Sequence, residues 1–174
     1  EFGCTDQANI SHTVYAQPEA NFVIDNSCAL SLVDLTNSTS VPDQQDLASF
    51  FWTWGDGDVA ANQSPFKRYT EPGFYDVQLI ATTNQACRDT FVAEIQIYAN
   101  PVADFVFEPV CYPDTLSFLD ISSVDGAFGD ELAGNRWNWG DGTSVRNLTE
   151  AQQAYIQPGR YSIEFEVLTN NGCS

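Results

Sequence analysis

The phrase Trp52-Thr53-Trp54-Gly55-Asp56-Gly57 returns as Trp137-Asn138-Trp139-Gly140-Asp141-Gly142, 85 positions further on. A repeat of that length is a domain-sized unit rather than a turn of a short solenoid. Its neighbours repeat with it. Gly73-Phe74-Tyr75-Asp76-Val77 returns as Gly159-Arg160-Tyr161-Ser162-Ile163 at an offset of 86, Phe22 and Cys28 match Phe105 and Cys111 at 83, and Cys87 matches Cys173 at 86. Offsets that drift by so little describe homologous modules with small loop insertions, so the chain reads as a tandem array.

The repeat runs past these two copies. Cys4-Thr5-Asp6 through Phe22 aligns without gaps on Cys87-Arg88-Asp89 through Phe105, so residues 4–16 read as the last strand of a preceding repeat. Asn170-Asn171-Gly172-Cys173 matches the turn that introduces such a strand. The expected organisation is residues 1–16 as that last strand with its body missing, 17–99 as repeat 1, and 100–174 as repeat 2 without its final strand. The chain then reads as a slice of a longer protein, with Glu1-Phe2 as a cloning remnant.

Short segments of period two dominate: Ala29–Val33, Thr115–Leu119, Phe50–Trp54, Tyr75–Leu79, Ala93–Ile97 and Tyr161–Val167. With turn residues between them, and no helical periodicity, they predict an all-β antiparallel sandwich. With 43% hydrophobic and 13% aromatic residues, each repeat can bury a core. The net charge of −18, from 24 acidic against 6 basic groups, excludes nucleic acid as a partner, because phosphate neutralisation needs Lys and Arg. No apolar stretch is long enough to insert in a bilayer. Five cysteines at repeating positions point to an oxidising, extracytoplasmic setting.

Trp52 and Trp54 lie two apart on one strand and so share a face, with Phe50 beside them. Core anchoring is the reading, for them and for Trp137 and Trp139, against the alternative of a sugar-stacking platform. The outward Phe51 is matched by Arg136, which weakens a platform further. Gly55-Asp56-Gly57 and Gly140-Asp141-Gly142 read as tight turns: glycine supplies positive φ and aspartate bonds its own backbone. The competing reading is a calcium site drawing on Asp56, Asp58 and Asp34 in one repeat and Asp120 and Asp141 in the other. Tyr75 and Tyr161 follow Pro-Gly turns as inward strand residues. The single histidine, His12, aligns with Ile95 and reads as a packed side chain. No nucleophile–base grouping or metal set can be assembled, so the chain is not expected to be an enzyme.

The opening Pro-x-Ala-x-Phe (Pro18 to Phe22; Pro101 to Phe105), the Trp-x-Trp-Gly-Asp-Gly phrase and the Gly-x-Tyr-x-Val/Ile that follows resemble the PKD (polycystic kidney disease) domain. The resemblance covers nearly the whole chain. It implies immunoglobulin-like sandwiches of about seven strands in extracellular, cell-surface proteins, serving as spacers, adhesion modules or accessory domains of secreted hydrolases. The Asn-Gly-Cys ending and Pro-x-Ala-x-Phe opening are most similar to arrays in large surface proteins of Bacteroidota, including gliding-associated adhesins. The expected partners are neighbouring repeats, with surface polysaccharide or protein as further ligands. The Asp114-Thr115-Leu116 triplet matches a short O-glycosylation signal of Bacteroidota secreted proteins, although Thr115 also reads as an ordinary edge residue. Sequons stand at Asn9, Asn37, Asn62 and Asn147.

Two cysteine connectivities stay open. One is intradomain, Cys28–Cys87 and Cys111–Cys173, leaving Cys4 over. In the other, strand directions put Cys28 and Cys87 at opposite ends of a module, and Cys28 bonds Cys173 across the repeat boundary. Cys4, Cys87 and Cys111 then serve repeats outside this sequence. A further alternative is donor-strand complementation between chains, in which the spare N-terminal strand fills the missing last one and builds a filament.

Overall fold

The computed structural model describes residues 3–4, 6–42 and 46–174. Glu1-Phe2, read above as a cloning remnant, and the Thr5 position of the expected first strand lie outside the described residues. Among those described, every regular element is a β-strand except one 3-10 turn at Gly126–Phe128. The fold is all-β and immunoglobulin-like. Two compact units divide it: residues 1–24, 35–65 and 76–93 form the first, and residues 25–34, 66–75 and 94–174 the second.

In the first unit, Phe22–Ile24 pairs antiparallel with Leu35–Asn37. The Trp52 strand, Leu47–Thr53, pairs with Val59–Ala60 on one side and with Gln78–Thr83 on the other. Alternation along Leu47–Thr53 sends Trp52 inward and leaves Phe51 exposed. Phe22 packs against Trp52 and Phe91, each at 5.1 Å between ring centroids, and Trp52 stacks on Trp54. These large rings are buried together with Leu35, Val77 and Leu79, and removing such apolar surface from water stabilises the unit.

The second unit contains two three-stranded sheets. Phe105–Phe107, Leu116–Asp120 and Glu150–Gln153 form one, and Ser144–Arg146, Leu132–Asn138 and Glu164–Thr169 the other. Phe118 of the first sheet faces Trp137 and Trp139 at 5.6 and 5.0 Å, closing a core that also buries Ala151. In the same unit Ser27–Cys28 runs parallel to Ile97–Tyr98 and Leu32–Val33 pairs with Lys67–Arg68.

Three expectations need correction. Ala29–Val33 is not one strand: Ala29-Leu30-Ser31 turns, with Leu30 at φ 63°, and only Leu32–Val33 is extended. The Ser31 amide donates to the Cys28 carbonyl within the turn and the Leu30 amide to the distant Tyr69 carbonyl, so one local and one long-range hydrogen bond outweigh the strand pattern. Tyr161 and Ile163 lie before the final strand, Glu164–Thr169, rather than in it. His12 is exposed, not packed, because the described residues of 4–16 join no strand. Ile95, its match, is buried because it sits inside the long strand Arg88–Tyr98.

Candidate functional site

The doubled phrase builds a core and a turn. All four tryptophans are buried. Trp52 Nε1 donates to the Asn62 carbonyl and Trp137 Nε1 to that of Leu148, at 3.0 and 3.2 Å. Gly55, Gly57, Gly140 and Gly142 all have positive φ, between 74° and 98°. Asp56 Oδ1 accepts the Asp58 amide at 3.1 Å, and Asp141 Oδ1 accepts the Thr143 amide at 2.9 Å. Hydrogen bonds from the Thr143 hydroxyl and amide hold the Asp141 carboxyl below its usual range.

After each turn, a tyrosine pair shapes the end of its repeat. Tyr75 and Tyr161 donate their hydroxyls to the carbonyls of Glu71 and Gln157, four residues upstream, both at 3.0 Å. Tyr75 stacks on Tyr69 and Tyr161 on Tyr155. The Tyr155 hydroxyl donates to Trp139 O, and burial together with the Asp141 charge pushes its pKa up.

The five calcium candidates are not gathered into one site. Among the described residues, no group of three or more His, Cys, Asp or Glu side chains could share an ion. Asp34 is exposed, and Asp120 spends one oxygen on the Ser122 amide and the other on Asn135 Nδ2. Burial alone would raise the Asp120 pKa, but these hydrogen bonds outweigh it and hold the pKa low. Of the sequons, Asn9, Asn62 and Asn147 are exposed, while Asn37 uses both ends of its amide, toward Gln63 O and the Thr39 amide. Thr115 is exposed, immediately before the strand Leu116–Asp120.

Chemistry beyond packing concentrates within the second unit. Cys28 and Cys173 form a disulfide, with Cα atoms 5.7 Å apart. Cys4, Cys87 and Cys111 are free. Cys28 cannot reach Cys87: it pairs with Tyr98, at the far end of the 11-residue strand that begins beside Cys87. Such a strand spans about 36 Å, against the roughly 7 Å limit between bridged Cα atoms.

Around the disulfide lies a hydrogen-bonded seam. Asp130, 2% exposed, accepts the Ala99 amide on Oδ2 and Asn171 Nδ2 on Oδ1, both at 2.9 Å. A buried carboxylate is costly unless such donors compensate it. Gln96 Nε2 donates to the Phe128 carbonyl, Asn100 Nδ2 donates to Ala29 O, and Phe74 meets Phe128 edge-on at 6.0 Å. The turn Gly126–Phe128, capped by the Asp125 carboxylate, supplies the Phe128 groups. Sequence reasoning missed Asp130, Asn100, Tyr69 and Tyr155. Two signals were available: Asn100 is a polar residue before proline, matched by Gln17 before Pro18, and Tyr69 returns as Tyr155 at the offset of 86; Asp130 left none.

Residues 15–97 match the PKD domain family. The chain resembles that family over just under half of its length. It is similar to the PKD1 domain from the Vibrio cholerae metalloprotease PrtV, at 27% identity over 47% of this chain and 96% of that one, with a TM-score of 0.43. It is similar also to the PKD1 domain of Vibrio anguillarum Epp, at 26% identity over 48% and 96%, with a TM-score of 0.45. The fibronectin(III)-like modules of Clostridium thermocellum CbhA match at 13% identity over 88% of each chain, with a TM-score of 0.43. PKD domains are generally non-catalytic structural modules and typically extracellular. The disulfide is compatible with that location. Among the described residues, no helix is long and apolar enough to cross a membrane.

Proposed function

We propose that this chain is a load-bearing, non-catalytic extracellular segment in which the PKD domain is followed by a second module of the same kind. It forms part of a longer array in a cell-surface adhesin or filament. The resemblance of its repeat phrases to Bacteroidota surface proteins extends the proposal to a gliding-type adhesin. The observation that carries it is the Cys28–Cys173 bond, which encloses a sequence separation of 145 residues. Tension applied to the two ends passes through that bond and bypasses nearly all of both repeats. A module built this way lengthens little under load. The alternative, an accessory module gripping polysaccharide, has no platform at the tryptophan pairs, which are buried.

Single-molecule force extension tests the reading. Pulled by its ends in the oxidised form, the chain yields only the residues outside the loop. Adding a reductant releases the enclosed 145 residues, about 50 nm of contour at roughly 3.5 Å per residue. Unfolding steps of module size in the oxidised chain, before any reductant, would sink the proposal.

A further inference from the structure

Cys87 and Cys173 are presented by the same turn. In each, the cysteine amide donates to a threonine hydroxyl oxygen, Thr83 or Thr169, at 3.2 and 3.1 Å. The threonine amide donates to the cysteine carbonyl at 2.9 Å in both, and the residue before the cysteine donates to the threonine carbonyl at 3.0 Å in both. Ala86 takes the left-handed conformation at φ 64° that Gly172 takes at φ 83°. One of these two equivalent thiols is bonded and buried; the other is free and half-exposed.

The opposite member of the pair shows the same contrast. In the first repeat, the end marked by Cys28 carries Cys173 through the disulfide and Phe128 against Phe74. There Ala29, Val33 and Tyr69 are all buried. At the matching end of the second repeat, Cys111 is exposed. The residues matching those three, Tyr112, Leu116 and Tyr155, line an open cavity of about 390 Å³ together with Phe107, Val110 and Ile163. Tyr112 is 56% exposed where Ala29 is 5% exposed. An apolar mouth that is closed in one repeat and open in the next is a docking face whose occupant has already been seen once.

We infer that the Cys111 end of the second repeat receives another module of this same build, here a second copy of the chain, and locks it with a disulfide to that copy's Cys87. The Cys111 and Cys87 thiols lose two protons and two electrons to a low-molecular-weight disulfide such as oxidised glutathione. Its S–S bond breaks as the new one forms, and it leaves as two thiols. The inference rests on the module-upon-module reading above, but its test involves other cysteines. Failure here leaves the Cys28–Cys173 bypass standing.

The test uses the full chain with C4S, which removes the exposed Cys4, in a glutathione redox buffer. About 0.5 M salt screens the repulsion between copies of net charge −18. The expected result is a ladder of dimers and higher species on non-reducing gels, with a Cys87–Cys111 peptide pair. C87S or C111S alone stops the ladder, and mixing the two variants gives a dimer and nothing larger. Tyr112→Glu slows cross-linking at least tenfold while leaving the reaction of Cys111 with a small disulfide reagent unchanged. A chain that stays monomeric overturns the inference. So do Cys87–Cys87 and Cys111–Cys111 pairs in equal abundance with the mixed one, or a Tyr112→Glu chain that cross-links at the native rate.

Discussion

Replacing both bridged cysteines, as C28S/C173S, isolates what the covalent link contributes at the junction. A closed loop of 145 residues lowers the entropy of the unfolded chain by an amount worth about 5 kcal/mol at 25 °C. That figure is a ceiling, and measured removals of native disulfides generally cost about 2–5 kcal/mol. What remains is the seam: three hydrogen bonds, Ala99 to Asp130, Gln96 to Phe128 and Asn100 to Ala29, and the Phe74–Phe128 pair. At about 1 kcal/mol each, these hold the junction in the folded state but no longer restrict the unfolded one. The expected loss is about 3 kcal/mol in the second unit, which corresponds to roughly 100-fold faster exchange of amides that open only with it. Hydrogen exchange by NMR reads this directly at the Ala99 amide, whose acceptor is Asp130, and at the Ala29 amide, whose acceptor is Tyr98 O. If both exchange at the native rate in the double variant, and its denaturant midpoint is unmoved, the bond constrains nothing and the mechanical reading loses its basis.

Gly140 and Gly142 separate backbone strain from collision. Both have positive φ, so alanine at either costs about 1–2 kcal/mol. At Gly140 the new Cβ would also strike the Ser162 carbonyl oxygen, whereas at Gly142 it meets open space. Urea denaturation should place G140A below G142A by at least about 1 kcal/mol. Trp137→Phe should cost about 2 kcal/mol more than Trp139→Phe. The first loses the bond to Leu148 O, and the second removes a buried Nε1 that has no partner. Equal midpoints for the two variants would contradict that reading. Asp120 has a depressed pKa, so the stability it contributes is whole above the ordinary value of 3.8 and disappears as pH falls through the lower folded value. D120N should therefore flatten the acid limb of the stability profile below about pH 4. An acid limb identical to the native one would mean the carboxylate is not linked to folding.

Much of the fold is legible because it rests on patterns the chain repeats. Period two places Trp52 and Trp54 on one face, and the glycines around Asp56 mark a reversal whichever repeat is read. The Ala29–Ser31 turn is not legible, since three apolar or small residues in a period-two stretch carry no turn signal. Its conformation is dictated by the Tyr69 carbonyl, nearly 40 positions away in sequence. Asp130 is hidden for a different reason. It looks like one more acid among 24, and only the folded chain brings the Ala99 amide and Asn171 to its two oxygens. Residues 4–16, read as the last strand of a preceding repeat whose body is missing, pair with no strand among the described residues, and a ladder needs a neighbour.

The separation of the bridged cysteines carries a consequence for any longer array. At 145 residues it exceeds the 85-residue spacing of the doubled phrase, so in the proposed array the loop would begin inside one repeat and end inside the next. An intradomain Cys28–Cys87 bond would have enclosed only 59 residues (87 − 28), leaving the backbone between repeats as the sole covalent route for force. With Cys111 bonded forward in the same manner, the next loop would start before the first had closed at Cys173. Consecutive loops would then overlap, and every repeat boundary would be crossed by a disulfide as well as by the chain. A single reduced bond in such an array frees slack at one boundary without uncoupling the modules on either side. That arrangement follows if every repeat of the proposed array carries the pairing seen here, with the cysteine matching Cys28 bonded to the one matching Cys173 rather than to the one matching Cys87.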